Sequence, residues 1–442
     1  TDGRASERAV VPRHSRISVV VVIEATAGRG CNHASTARYR SSSLYNGTSW
    51  EVSGLSRIQT MLSTDHRAAG PLPDAPANCR FTKAVLPVGY SVLLAAYFVM
   101  FSADGMNAYF TADDGGNLVH MHEYWENGLA SMAGSVLRVF TGTYRPLGGI
   151  YYFALYRIAG LNPFPFRAVC LTLMLCNLMI AFAFLRRMSN SPSAAFIGAI
   201  LLARHPALLW LFYSSGTIYE ILCFLFYCST LLLYSKWRQE GVAVLGWKRV
   251  AVLLVLNALA LDSKEMAMTL PAALLLIELL CFSGQFGWPT PAKVLDFFRG
   301  RGRVILATSI LTALTIAFKV LSHNPLSDDP RYAIHSLSSV FDATRGYHAA
   351  LLYGDLFHGI HTFPLFLLWA GILSAGFGLK SRSMKMGFGL VLISMAPVCV
   401  ISPRGGYMLY LPLIGWALLI SSFLVAVGGL VIEHLLFGIA KG

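Results

Sequence analysis

Charge is what this sequence has least of. Asp, Glu, Lys and Arg make up only 13% of its 442 residues, against roughly 25% in a soluble globular chain. So few charges cannot cover a water-facing surface, which excludes a soluble domain. Organised cysteine is missing too. The eight cysteines contain no CxxC pair and no zinc-ligand spacing. Cys170, Cys176, Cys223, Cys228, Cys281 and Cys399 all stand inside apolar runs, where they read as small hydrophobes. A disulfide framework and a cysteine zinc site are excluded. There is no internal repeat and no tetratricopeptide pattern. No nucleic-acid-binding module accompanies the net charge of +13. The Lys and Arg residues cluster in short loops between apolar runs, as topology signals and headgroup contacts do.

What the sequence has instead is hydrophobic length. Hydrophobic types reach 55% and mean hydropathy is +0.57, and many apolar runs have the roughly 17 to 22 residues that cross a bilayer core. Spans are expected near 84–103, 164–185, 193–213, 216–235, 248–262, 266–282, 304–321, 362–379, 386–402 and 407–436. The last is long enough for one tilted helix, or for two short ones around Gly428 and Gly429. The fold class is therefore an all-α integral membrane protein with ten to eleven transmembrane helices. Residues 1–80, rich in Arg, Ser, Ala, Thr and Gly, hold one apolar run, Ile17 to Ile23, too short to span. This stretch reads as a disordered or mis-assigned N-terminal extension, with Met61 as the alternative start, and 81–442 as the membrane domain.

Orientation follows from the basic residues. Alternate loops carry Arg80 and Lys83; Arg186 and Arg187; Lys236, Arg238, Lys248 and Arg249; Lys293, Arg299, Arg301 and Arg303; and Lys380, Arg382 and Lys385. These loops are expected to be cytoplasmic. Residues 250–282 are ambiguous, since one long helix there would invert everything after it. The charge rule favours two short helices meeting at the outer face around Asp262–Glu265. The segment 147–161 is apolar but short and carries Arg157, so it suits the membrane interface. It makes the first outer loop, about 104–163, partly helical. A second large outer loop covers about 322–361.

The first outer loop holds the densest polar chemistry, Asp113 and Asp114 followed by Gly115 and Gly116, which permit a sharp turn, then His120, His122, Glu123 and Glu126. Paired aspartates cap helices and decorate loops. At a membrane surface one of them can also act as a general base. Basic residues of the outer loops, Arg138, Arg145, Lys264, Arg331, Arg345 and Arg404, are candidates for holding a phosphate, each against the plainer reading of a headgroup contact. His323, Asp328, Asp329, His335, Asp342, His348, Asp355, His358 and His361 crowd the second outer loop. Their spacing matches no metal motif, so no metal site is assigned.

Five elements in order carry a family resemblance. The Asp pair is the first. The segment 143–175, "TYRPLGGIYYFALYRIAGLNPFPFRAVCLTLML", is similar to that following the first outer loop in O-mannosyltransferases of the transmembrane and tetratricopeptide-repeat type and their bacterial relatives. Tyr144, Arg145, Pro146, Leu147, Gly160, Asn162 and Pro163 match. "LLARHPALLWLFYSSGTIYEIL" (201–222) resembles a His-Pro element containing His205. "SKEMAMTLPAALLLIELL" (263–280) resembles a Lys-Glu element, Lys264 and Glu265, followed by Leu-Pro. "PRGGYMLYLPLIGWALL" (403–419) resembles a Tyr-Leu-Pro element with Arg404 and Tyr407 ahead of it. The resemblance is to the GT-C superfamily of glycosyltransferases. It implies a polyprenyl-phosphate sugar donor, inverting transfer to a hydroxyl of a protein or glycan on the extracytoplasmic face, and a catalytic aspartate, Asp113 or Asp114. It also implies that Arg145 shapes the loop or contacts donor phosphate, and that Lys264 and Glu265 lie at the outer cavity. No cofactor follows from it beyond the donor, and the remaining partners are membrane lipids. Its localisation would be a bacterial inner membrane, or the endoplasmic reticulum membrane in a eukaryote. The chain departs from the family where an acidic residue after His-Pro gives way to the stretch around Trp210, and where an Arg is displaced to Arg404. A lipid-linked-saccharide transporter and a non-catalytic membrane subunit are the alternatives.

Overall fold

The computed structural model describes residues 77–126, 145–282, 291–321, 337–354, 360–378, 381–401 and 403–439. The expectations for 1–76, for Arg138 and Arg331, and for His323, Asp328, Asp329, His335, Asp355 and His358 fall outside them. The chain divides after Ala84, within its first described helix, into two units, and the packing below is that of the second, Val85–Gly442.

Among the described residues every regular element is helical. Helix α1 (Ala77–Ser102) passes through a 3-10 turn into α2 (Ala112–Glu126). Then come α3 (Pro146–Ala159), α4 (Pro163–Ser189), α5 (Pro192–Ala203), the single-turn α6 (Leu209–Tyr213), α7 (Ile218–Gln239), α8 (Trp247–Ser263) and α9 (Leu270–Ile277). The rest are α10 (Pro291–Arg299), α11 (Arg303–Leu321), α12 (Leu337–Leu351), α13 (Thr362–Gly378), α14 (Arg382–Cys399) and α15 (Pro412–Ile439). Local sequence sets the boundaries. Asn162 caps α4, accepting from Phe164 N at 3.1 Å, with Pro163 in the first turn. Ser191 does the same for α5 ahead of Pro192, and Ser381 for α14. Side-chain caps satisfy N–H groups that lipid cannot. Gly160, at φ +57°, closes α3.

Five stretches are long and apolar enough to cross a membrane: Val85–Asn107, Pro163–Ser189, Ser215–Gln239, Glu265–Phe282 and Pro412–Ile432. Two bent pairs raise the number to seven, Pro192–Ala203 with Pro206–Tyr213 (51°) and Ala292–Arg299 with Arg303–Lys319 (84°). The chain is thus a multi-pass membrane protein. Fewer spans qualify than the ten to eleven expected. Helices α8 and α13 have 17 residues each, and α14 opens on Arg382 and Lys385. Each nonetheless occupies the place of an expected span. The last stretch is one helix, α15, preceded by a 3-10 turn, Gly406–Leu409.

The ambiguity at 250–282 resolves as a reversal. Helix α8 ends at Ser263, Lys264 is fully extended, and a 3-10 turn, Glu265–Thr269, leads into α9. Pairing down α7 fixes the direction. Glu220 meets Lys264, Tyr227 Oη lies 3.1 Å from Thr269 Oγ1, and Tyr234 and Arg238 meet Glu278. The 265–282 stretch therefore runs parallel to α7, and α8 between them runs the other way.

One end of the bundle collects three of the basic segments, 186–189, 236–249 and 381–385. Arg187 Nη1 donates to Gln239 Oε1 at 2.9 Å, Ser383 Oγ to the Met188 carbonyl at 2.9 Å, and Arg249 stacks 5.4 Å from the Trp237 ring. The core between the ends is aromatic and aliphatic, as in the Phe224–Tyr410 stack at 4.2 Å. Helices α14 and α15 touch backbone to backbone, since a Cβ on either Gly387 or Gly415 would come within 2.6 Å of the other's carbonyl oxygen. Small residues bring membrane helices this close.

Candidate functional site

The opposite end is built around the start of α2. Thr111 precedes its first turn, and Asp114 Oδ2 reaches back to accept from Thr111 N and Thr111 Oγ1, both at 2.8 Å. This is the acidic half of a capping box. Asp114 Oδ1 accepts from Tyr152 Oη of α3 at 2.6 Å, and Asp114 is fully buried. Thr111 Oγ1 also lies 3.0 Å from Ser214 Oγ. Burial, with the charge of Asp114 beside it, holds the Tyr152 hydroxyl well above the usual tyrosine range, so it stays a proton donor. One carboxylate thereby ties α2 to α3.

Asp113 is exposed. Its carbonyl accepts from Asn117 Nδ2 at 2.7 Å. A Cβ on Gly216 would sit 2.8 Å from Asp113 Cβ, so glycine lets the turn Ser215–Thr217 pass this close. The expected sharp turn at Gly115 and Gly116 is not formed. Both lie inside α2, and Gly115 N donates helically to the Thr111 carbonyl at 3.0 Å. The capping box starts the helix before the glycines can bend the chain.

Arg145, ahead of α3, is buried and holds a left-handed backbone, φ +34° and ψ +75°. That conformation costs a non-glycine residue on the order of 1–3 kcal/mol. Its Nε and Nη2 reach Glu265 Oε2 at 3.2 and 2.8 Å, and its guanidinium stands 5.4 Å from the Tyr219 ring centroid. Lys319 Nζ, from α11, meets the other oxygen, Glu265 Oε1, at 3.2 Å. Lys264 and Glu220 form a second ion pair, both buried, with Lys264 Nζ 3.1 Å from Met408 Sδ and 5.6 Å from the Tyr407 ring centroid. Tyr219 joins the two halves. Its hydroxyl donates to Asn117 Oδ1 at 2.7 Å, and its ring fills the space where a Cβ on Gly148 would lie, 1.9 Å away.

Asp113, Asp114, Arg145, Lys264, Glu265 and Tyr407 thus belong to one linked cluster. The remaining candidates stand apart from it. His122 is exposed on α2, its Nδ1 3.3 Å from Tyr156 Oη. Glu123 lies on α2 with its side chain outside the description. His205 is buried at the bend after α5, where Nδ1 accepts from Ala207 N and Nε2 lies 3.3 Å from the Leu351 carbonyl. That makes it a structural cap at the break. Arg404 is tied through its amide N, which donates to Tyr347 Oη at 3.0 Å. Arg345 makes a loose contact with Asp342 at 3.7 Å within α12.

Glu220, Lys319, Tyr152 and Tyr219 were not singled out from sequence, and neither was Arg167. Arg167 is 1% exposed in the first turns of α4, close to Asp114, Tyr151 and Tyr152 in electrostatic terms. Its Nε and Nη2 have no hydrogen-bond partner among the described residues. A usable signal existed for three of the five, since Arg167, Glu220 and Lys319 are ionisable residues inside apolar runs, where a charge is costly. Among the described residues no three His, Cys, Asp or Glu side chains gather as metal ligands. Comparison with family models, with curated proteins and with solved structures gives no match.

Proposed function

We propose that this chain is a GT-C-type glycosyltransferase that moves a sugar from a polyprenyl-phosphate donor to an acceptor hydroxyl. One observation carries the reading. The Asp pair, Arg145 and Lys264, remote in sequence, meet at one end of an apolar bundle, opposite the end that collects three of the basic segments. Among the described residues the charges of the long apolar helices stand near helix ends. This favours chemistry at a membrane surface over transport through a midplane site. Counting α8, α13 and α14 with the seven apolar stretches gives ten crossings, an arrangement in which 104–126, 145–163 and 337–354 share one face. Under the charge rule that face is extracytoplasmic.

The two aspartates divide the work. Three hydrogen bonds already occupy the Asp114 carboxylate, which makes it an anchor between α2 and α3. Asp113, exposed one residue earlier, takes the proton from the acceptor hydroxyl as that oxygen bonds to the anomeric carbon. The bond from that carbon to the phosphate oxygen breaks with inversion. The phosphate departs with the electron pair as an anion and needs no acid. The nearby cations stabilise the charge that develops on it. The acceptor is a protein or glycan hydroxyl.

The test uses the full chain in nanodiscs with a panel of polyprenyl-phosphate monosaccharides and membrane-extract acceptors, read by mass spectrometry. Wild type consumes a donor, and Asp113→Asn lowers turnover by about 10²- to 10⁴-fold with the fold intact. Undiminished turnover in Asp113→Asn, or side-specific labelling that puts Asp113 in the cytoplasm, would defeat the proposal.

A further inference from the structure

The Arg145–Glu265–Lys319 cluster has an arrangement that a simple ion pair does not need. Two cations from different elements, the segment before α3 and the end of α11, grip the two oxygens of a single carboxylate. The cations are the more buried partners, at 6% and 18% side-chain exposure, while the carboxylate between them is 37% exposed. In the buried Arg238–Glu278 pair, by contrast, the carboxylate is 1% exposed. In this cluster the anion is the outermost member and can swing to solvent, leaving a fixed pair of cations behind.

Arg145 and the helix that carries Lys319 have supports besides the carboxylate. Arg145 is set by its left-handed backbone and by the Tyr219 ring. Tyr219 is fixed in turn by Asn117 and by the missing Cβ of Gly148. Lys319 lies on a helix joined to α8 by Asn257, whose Nδ2 donates to the Thr308 carbonyl and to Thr312 Oγ1, both at 3.4 Å. Glu265 is the first residue of a 3-10 turn after an extended residue, so side-chain rotation breaks no regular helix. An arginine fork that takes one carboxylate oxygen through Nε and Nη2 takes a phosphate oxygen equally well, and an ammonium supplies a point charge to another oxygen.

We infer that Glu265 fills an anion site in the ligand-free protein, and that a phosphate group displaces it to bind between Arg145 and Lys319. The inference rests on the transferase reading for the identity of that phosphate, the one that links the sugar to the polyprenyl chain. A route from Arg145 through Tyr219 and Asn117 to the Asp113 backbone links this site to the helix that carries the proposed base. Displacing Glu265 uses part of the binding energy of the phosphate. Donor affinity in the wild type is therefore reduced by the fraction of molecules in which Glu265 occupies the site.

The experiment measures equilibrium binding of polyprenyl monophosphate, and separately of inorganic phosphate, to the full chain in neutral-lipid nanodiscs. Glu265→Gln keeps the hydrogen-bonding shape and removes the charge, and is expected to tighten binding about tenfold. Glu265→Asp keeps the charge but is one methylene too short to bridge both cations, and is expected to tighten it less. Arg145→Gln and Lys319→Gln are each expected to weaken it about tenfold. Size-exclusion profiles and thermal midpoints confirm that each variant is folded. Unchanged or weaker binding in both folded Glu265 variants overturns the inference, as does binding indifferent to Arg145 and Lys319. A wild type and Glu265→Gln that both bind neither probe also overturn it. The predicted pattern without donor turnover keeps the anion site and removes the transferase. The pattern with inorganic phosphate alone keeps the site and removes the lipid donor. Turnover without the pattern keeps the transferase and removes the site.

Discussion

Helix α7 carries a charged group at each end, and the two ends are finished differently. Glu220 near its start and Arg238 near its finish are about 27 Å apart at 1.5 Å per residue. At the Arg238 end the cluster is saturated. Glu278 takes Arg238 Nε at 2.9 Å, Arg238 Nη2 at 2.6 Å and Tyr234 Oη at 2.9 Å. The remaining arginine nitrogen, Nη1, donates to the Val242 and Ala243 carbonyls at 2.6 and 2.8 Å. Nothing there calls for a ligand. At the Glu220 end, by contrast, one carboxylate is shared between two cations and partly exposed, one arginine is held in a left-handed backbone, and Arg167 has buried N–H groups without acceptors among the described residues. Saturation marks charges that fasten helices together. A partly exposed carboxylate shared between two cations is open to exchange in a way that Glu278 is not.

The contrast breaks most readily at its two extremes. Asp113→Asn, with its large loss of turnover, is expected to leave the unfolding midpoint where it was, because Asp113 is exposed. Glu278→Ala is expected to do the reverse. Removing one partner of a buried ion pair costs about 3–5 kcal/mol, so its unfolding midpoint falls well below that of the wild type while turnover per folded molecule is retained. Measuring both properties on both variants in one detergent checks the separation. A Glu278→Ala protein of wild-type stability, or a destabilised Asp113→Asn, would erase the distinction between the ends. The next effect is smaller. Tyr152→Phe removes one hydrogen bond to the Asp114 carboxylate, and about 1.5–3 kcal/mol of stability goes with a bond to a charged group. Some turnover is lost through a looser α2, and chemical denaturation alongside donor consumption measures the two together.

How much of this was legible beforehand depends on the kind of signal. Hydrophobic length placed every described apolar helix within a few residues, since crossing lipid demands the same thing of each run. Basic loops and the break at Asp262–Glu265 were readable as well, because charge distribution constrains topology directly. Three things were not. The capping box that keeps Gly115 and Gly116 helical depends on Thr111, which lies ahead of the run that drew attention. Helix α12 sat in what read as a loop, since its Asp342, Arg345 and His348 mask a short apolar face. The division between Asp113 and Asp114 is set by Tyr152 and by the turn at Gly216, contacts between elements that no local pattern encodes. Resemblance pointed to Arg145, Lys264 and Glu265 but not to Lys319, whose role exists only because α11 ends beside the turn after α8.

The smallest predicted effect is the sharpest comparison, because it makes the same change at both ends. Arg238→Met strips Glu278 of its counter-ion and frees two loop carbonyls, and is expected to cost about 3–5 kcal/mol. Arg167→Met removes a buried guanidinium whose Nε and Nη2 have no partner among the described residues. Desolvating such a group is unfavourable to begin with, so an apolar side chain of similar length is expected to change stability by under about 1 kcal/mol. Asp114 retains its bonds from Thr111 and Tyr152 in that variant, which leaves the α2–α3 tie in place. Thermal unfolding of the two methionine variants side by side measures the difference. A loss at Arg167 as large as that at Arg238 would mean that Arg167 is the true counter-ion of Asp114, and that the two ends of α7 are finished alike after all.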